Sequence, residues 1–170
     1  MIDSPASFDY PSPPGILRIT LEESFLTSVI FADHPAVEAT PREALPAARR
    51  KVLDNCLRQL DRYFSGDTGG FDLPLQQAGT DFQQRVWQEL RKIPYGRTIT
   101  YLQLAQRLGD PKCIRAAASA NGKNPFSIIV PCHRVIGTGG KLTGYGGGLP
   151  RKKWLLEHEN RFAGGQTSLF

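Results

Sequence analysis

One short run carries most of the chemistry this sequence can offer: Asn124-Pro125-Phe126-Ser127-Ile128-Ile129-Val130-Pro131-Cys132-His133-Arg134-Val135-Ile136-Gly137. Cys132 is followed by His133 and Arg134, and cationic neighbours favour the thiolate, the nucleophilic form of cysteine. Read as an extended segment, consecutive side chains point to opposite faces, so His133 is not expected to touch the sulfur directly. A bridging water would then carry the proton, with a carboxylate fixing the imidazole from behind. A Cys-His pair alone is a weak signal, because most buried cysteines are inert.

Competing site chemistries fail on spacing. The three cysteines, Cys56, Cys113 and Cys132, form no CxxC pair, and no Cys/His cluster has structural zinc spacing, so no metal is expected. His158-Glu159-Asn160-Arg161-Phe162 lacks the second histidine of a zinc-protease helix. Gly137-Thr138-Gly139-Gly140-Lys141-Leu142 lacks the leading glycine and trailing hydroxyl of a phosphate loop, and Gly144-Tyr145-Gly146-Gly147-Gly148 is no dinucleotide fingerprint. These glycines read instead as a flexible wall that lets a ligand come close to the cysteine. There is no GxSxG elbow.

The elements that must position Cys132 are written with clear punctuation. Thr80-Asp81-Phe82-Gln83 is a capping box, and Phe82, Val86, Leu90 and Ile93 mark one face of the helix it opens. Thr100-Tyr101-Leu102-Gln103 is a second capping box, opening a short helix that ends at Gly109. Asp110-Pro111 then reads as the N-cap and first-turn proline of a helix running to Gly122. Two short helices across a tight glycine turn predict a helix-turn-helix. Its second helix offers Arg115 among small residues, with Ala116, Ser119 and Asn121 expected on the same nucleic-acid face. A surface so poor in base-reading side chains would hold the backbone or minor groove without reading sequence. An Ala-rich core helix with a solvated Arg115 is the plain alternative.

The first half is organised differently. Met1–Pro14 is Pro/Ser-rich and expected to be loosely held. Leu17–Leu21 and Leu26–Phe31 read as strands, and 42–64 as a helix whose stripe of Leu45, Val52, Cys56, Leu60 and Phe64 makes Cys56 a core residue.

At 170 residues, 40% hydrophobic and 22% charged, the chain is globular in composition and long enough for a core. No apolar run could span a bilayer, and no basic segment leads into an apolar one at the N-terminus, so neither membrane nor secretory signal is expected. Unpaired cysteines predict a reducing, cytoplasmic setting. The net charge of +5 is unevenly placed: residues 1–79 carry 7 Lys/Arg and 11 Asp/Glu, and residues 80–170 carry 14 Lys/Arg and 5 Asp/Glu. The second half, at +9 against −4, either meets a polyanion or is a solvated basic face.

From about Thr80 to Glu159 the sequence resembles the O6-alkylguanine-DNA alkyltransferases. The resemblance rests on Ile93-Pro94-Tyr95-Gly96, Thr100-Tyr101, Arg115-Ala116, Asn124-Pro125, Pro131-Cys132-His133-Arg134-Val135 and Gly144-Tyr145, in that order. The first 75 residues match only in general character. The resemblance implies that Cys132 accepts the alkyl group, that His133 acts on it through a water, and that Glu159 orients His133, with Glu157 on the solvated face. It implies that Arg115 enters the base stack, that Tyr101 crowds the target phosphate and donates to the departing guanine, and that Asn124 is a hinge between the helix pair and the cysteine segment. Val135 and Tyr145 would line the guanine pocket. Gly146 stands where animal members have a serine, which implies a roomier pocket. Metal-binding residues found in some members' N-terminal domains are absent.

The expected fold is α+β: a small N-terminal α/β domain (1–75), a linker (76–79), and a mostly helical domain (80–170) holding the helix-turn-helix and the cysteine. The expected function is direct, irreversible transfer of an alkyl group from O6-alkylguanine, with O4-alkylthymine left open, in a flipped-out nucleotide to Cys132. No cofactor is expected. The expected partner is duplex DNA bearing alkylated bases, without sequence preference, bound by a monomer, with cooperativity left open. A non-catalytic lesion binder is the alternative, with a helix-turn-helix regulator and a cysteine hydrolase weaker still.

Overall fold

The computed structural model describes residues 4–164, and the chain divides into two compact units between Ala78 and Gly79. The fold is α+β.

The first unit is an antiparallel meander, β1 (Ala6–Ser12), β2 (Gly15–Glu22) and β3 (Phe25–Ala32), in the order β1-β2-β3. Leu17, Ile19 and Leu21 alternate along β2 and are fully buried, as a central strand with one core face requires. β1 corrects the expectation of a loose N-terminus. It pairs with β2 over its whole length, and because it is the edge strand its Pro11 removes no needed ladder donor. Residues 1–3 lie outside the described residues. The helix expected over 42–64 is in two pieces, a 3-10 turn at Arg42–Ala44 and α1 (Ala47–Phe64). Pro46 causes the break, since it disfavours helical backbone at Leu45. Leu53, Cys56, Leu60 and Tyr63 bury one face of α1, which packs on β3.

The second unit opens with α2 (Asp81–Arg91). Both halves of its capping box form: the Gln83 amide donates to Thr80 Oγ1 at 3.1 Å and the Thr80 amide to Gln83 Oε1 at 3.0 Å. Val86, Trp87 and Leu90 are buried, and Trp87 Nε1 donates to the Ala120 carbonyl at 2.9 Å, tying α2 to the helix that begins at Ile114. A two-residue strand β4 (Ile99–Thr100) leads into α3 (Tyr101–Arg107), whose capping box between Thr100 and Gln103 is also complete. α4 (Ile114–Gly122) starts later than expected. Asp110 caps a turn, accepting from the Lys112 amide at 2.9 Å, and Cys113 takes the N-cap position. The connection from α3 to α4 therefore runs from Leu108 to Cys113, longer than the tight turn expected. The strand β5 (Val135–Ile136) pairs parallel with β4, Ile99 beside Val135 and Thr100 beside Ile136. α5 (Leu149–Phe162) closes the unit with Leu155 and Leu156 in the core. Burying each such leucine contributes about 1.5–3 kcal/mol, so this core can hold the charged groups built into it. No helix among the described residues is long and apolar enough to cross a membrane.

Candidate active site

Two three-residue turns bring the chain to Cys132. The Ile129 amide donates to the Ser127 carbonyl at 2.8 Å around Ile128, which has φ 71° although it is β-branched and 1% exposed. This is the rarer, strained hand of γ-turn. The Cys132 amide then donates to the Val130 carbonyl at 2.8 Å around Pro131 at φ −80°, ψ 64°, the favourable hand. Asn124 braces both: its Nδ2 donates to the carbonyls of Phe126 (3.0 Å) and Val130 (2.8 Å), and its Oδ1 accepts from the Phe126 amide (3.0 Å).

Cys132, His133 and Arg134 form one 3-10 turn, not the extended segment expected. Three residues per turn spread their side chains around the axis, so His133 and Arg134 can both reach the carboxylate of Glu159 on α5. His133 Nε2 lies 2.6 Å from Glu159 Oε1, both fully buried. Arg134 donates twice to the same carboxylate, at 2.9 and 3.0 Å, and once to the Ile93 carbonyl at 2.7 Å. The Gly96 amide adds a fourth donor at 3.2 Å. Gly96 has φ 73° and sits against Ala163, so only glycine brings a backbone amide this close.

The electrostatics follow from this packing. Burial pushes the Glu159 carboxyl up, but His133 and Arg134 outweigh it and hold the group well below the usual carboxylate range. Burial pushes His133 down despite Glu159, so its ring is neutral near pH 7. A neutral ring facing an ionised carboxylate donates from Nε2, which leaves Nδ1 as a buried acceptor with no hydrogen-bond partner among the described residues. Cys132 is 6% exposed; burial pushes its thiol up, while the Asn124 side chain and the Lys152 charge pull it down.

Of the other expected site residues, Tyr101 opens α3, and its hydroxyl donates to the Thr143 carbonyl at 3.2 Å. Burial and the neighbouring Cys132 push its phenol up. Tyr145 lies in the glycine-rich loop with its phenol beside Ser127 and near Cys132, and burial pushes it up strongly. Val135 is fully buried, and its amide donates to the Cys132 carbonyl. Gly146 is exposed, and a side chain there would make only an ordinary contact with the Gly122 carbonyl, 3.8 Å from an added Cβ. Arg115, Ala116 and Ser119 form an exposed face of α4. Asn121 does not join them. It is 3% exposed, turned inward beside Tyr101, with Nδ2 donating to the Cys132 carbonyl at 3.4 Å, because α4 buries the face it shares with Ala117 and Ala120. Glu157 is exposed and faces Lys153 at 3.8 Å.

Two participants escaped the sequence reading. In the sequence Arg134 stands out only as part of a cationic neighbourhood, and Lys152 carries no motif of its own. Lys152 is 0% exposed and donates to the carbonyls of Val135 (2.6 Å), Thr143 (3.0 Å) and Gly144 (3.3 Å). Its signal was present: Lys152, Leu155, Leu156 and Glu159 fall at i, i+3, i+4 and i+7, so a lysine occupies the buried stripe of α5. Cys56 is sealed in the first unit with its thiol pushed up to about 12 by burial, and Cys113 lies 4.0 Å from the Ala105 carbonyl. Among the described residues no group of three or more His, Cys, Asp or Glu could hold a metal ion.

The arrangement suits nucleophilic attack by Cys132, with a neutral, anchored imidazole as proton acceptor. Comparison with known proteins gives the same direction. Residues 81–161 match the 6-O-methylguanine DNA methyltransferase, DNA binding domain, and residues 9–77 the ribonuclease-like domain of the same proteins. A methylated-DNA–protein-cysteine methyltransferase of Mycobacterium bovis is 55% identical over 160 residues, 94% of each chain. The crystal structure of Mycobacterium tuberculosis O6-methylguanine methyltransferase superposes with a TM-score of 0.79 at 42% identity, covering 98% of this chain and 99% of the other. A structure of M. tuberculosis OGT in complex with DNA gives a TM-score of 0.78 at 45% identity over 93% of both chains. With relatives this similar along nearly the whole length of both chains, the protein belongs to the methylated-DNA–protein-cysteine methyltransferase family.

Proposed function

We propose that this chain repairs DNA by moving an alkyl group from O6 of guanine to the sulfur of Cys132. The observation that carries the assignment of roles is the buried 2.6 Å His133–Glu159 contact, which turns the one open imidazole nitrogen into a proton acceptor beside the cysteine turn. A buried acceptor left unsatisfied costs about 1–3 kcal/mol, and a proton taken up at this nitrogen from the neighbouring cysteine would offset that cost.

The target atom is out of reach inside a duplex, so the nucleotide is flipped out at a cost of a few kcal/mol, less for a poorly paired alkylated base. Arg115 projects from the exposed face of α4 to fill the stack, and Ala116 and Ser119 let the backbone approach. Phosphates are held by the +9 charge of residues 80–170, so affinity falls steeply with salt and carries no sequence preference. The thiol proton passes through a water to His133 Nδ1. The sulfur electron pair forms the S–C bond, the C–O6 bond breaks, and its electron pair leaves with guanine, which takes a proton from the Tyr101 hydroxyl; the proton held on His133 then returns to the phenol through water, so that one proton passes in net from the thiol to guanine. Val135 and Tyr145 flank the base, and Asn124 fixes the cysteine turn relative to α4. The thioether has no easy reversal, so each chain acts once. It acts as a monomer in the cytoplasm, where thiols stay reduced.

The test is stoichiometric. Duplex DNA containing O6-methylguanine should add one methyl mass to the Cys132 peptide and stop at one equivalent. Cys132→Ala should keep DNA affinity and lose all transfer. Turnover beyond one equivalent, or a methyl on another residue, would overturn the reading.

A further inference from the structure

Lys152 is a full positive charge buried at 0% exposure, with three carbonyl partners and no carboxylate among the described ion pairs. A buried charge without a counter-ion is costly, and burial pushes this ammonium down to about 8. Its three carbonyls come from two walls of one site: Val135 directly after the cysteine turn, and Thr143 and Gly144 in the loop that carries Tyr145. The ammonium also lies 5.7 Å from the centre of the Tyr101 ring. Among the described residues, the ionisable groups that interact electrostatically with Cys132 are Tyr101 from α3, Tyr145 from the loop and Lys152 from α5, with His133 next to it in the same turn and Arg134 and Glu159 around the imidazole. Of these, only the Cys132 sulfur can become the anion that Lys152 lacks without giving up a phenol proton.

We infer that Lys152 is a positioning residue for alkyl transfer, cross-bracing Val135 to the Thr143–Gly144 loop and supplying the buried positive charge that favours the Cys132 thiolate. The inference rests on Cys132 being the acceptor. The thiolate, with its charge matched by Lys152, attacks the alkyl carbon; once the neutral thioether forms, the ammonium loses its counter-charge.

The experiment compares the wild type, Lys152→Met, which keeps length without charge, and Lys152→Arg, which keeps charge. Single-turnover methyl transfer and iodoacetamide capture of Cys132, read on its peptide without DNA, are each followed from pH 6 to 9.5. Lys152→Met is expected to react about ten-fold more slowly at pH 7, with both profiles moved upward by about one pH unit, since one unit is a factor of ten in thiolate. Lys152→Arg should keep the wild-type capture profile even where its transfer is slower. A loss of equal size at every pH, or an unmoved capture profile in Lys152→Met, would overturn the pairing. If Lys152→Met does not fold, the titration of the Lys152 ammonium by nitrogen NMR decides: it should fall in Cys132→Ser, and an unchanged titration refutes the proposal. Iodoacetamide capture judges Lys152 even if no methyl reaches Cys132, so the two readings fail separately.

Discussion

The two units use the same charged residues in opposite ways. In the first, Arg18–Asp9, Arg42–Asp54 and Arg62–Asp67 pair at 2.7–2.9 Å, all reached by water, with side-chain exposures from 21% to 51%. In the second, one carboxylate at 1% exposure collects His133 together with Nε and Nη2 of Arg134, and Lys152 is buried nearby. Exposed pairs are screened and contribute little to stability. Buried ones repay a desolvation cost only when every partner is in place, so removing one is severe. Distance does not separate the two kinds, since 2.7 Å occurs on the surface and 2.9 Å in the interior. Burial does, and in the second unit it gathers His133, Arg134, Lys152 and Glu159 around the cysteine turn.

The harshest way to test that contrast is Glu159→Gln. It leaves Arg134 without its anion and the imidazole without its anchor, with an expected loss of about 3–5 kcal/mol, as for a broken buried pair. Methyl transfer should slow by at least about a hundred-fold, the usual scale for losing assisted proton transfer. Denaturant unfolding and single-turnover assays measure the two separately. Arg134→Lys is milder: the charge survives but the two-pronged geometry does not. Transfer is expected to fall about ten-fold with a smaller loss of stability, and an unchanged rate would reduce Arg134 to a packing role.

Acidity gives a third handle. His133 is pushed below its ordinary 6.5 by burial, and Glu159 is held low by His133 and Arg134 in spite of burial. In both cases the unfolded chain binds the proton more readily, so stability is complete above about pH 6.5 and falls as the pH drops. The first loss belongs to the imidazole, and a second follows below the carboxylate range. Unfolding curves from pH 8 down to about pH 2 should show the second step shrink in Glu159→Gln; an unaltered curve would break the assignment. The smallest effect is expected at the surface: Asp54→Asn should leave both melting temperature and transfer rate at wild-type values.

The sequence disclosed what is local. Both capping boxes are fixed by residues three apart, the chemistry of the Cys132 run is adjacent in the chain, and the charge split follows from counting. It did not disclose what depends on tertiary placement. Asp110-Pro111 serves a turn as well as a helix start, and only the packing of Ala117 and Ala120 sets where α4 begins. β1 needs β2 before a Pro-containing run becomes a strand. Asn121 shares its helix with Arg115, and which of them faces inward depends on where α4 is packed. The four donors on Glu159 reach it from positions 25 to 63 residues away in the chain.

Ile128 places an unusual limit on how this protein could be improved. Its backbone conformation favours glycine by roughly 1 kcal/mol or more. Its buried side chain would leave a cavity costing about 2–5 kcal/mol if removed. Each remedy undoes the other, so the position is trapped between two incompatible demands. A laboratory search for a hardier protein, changing one residue at a time, would return isoleucine at 128. Only a paired change that refilled the cavity from a neighbouring side chain could release the turn.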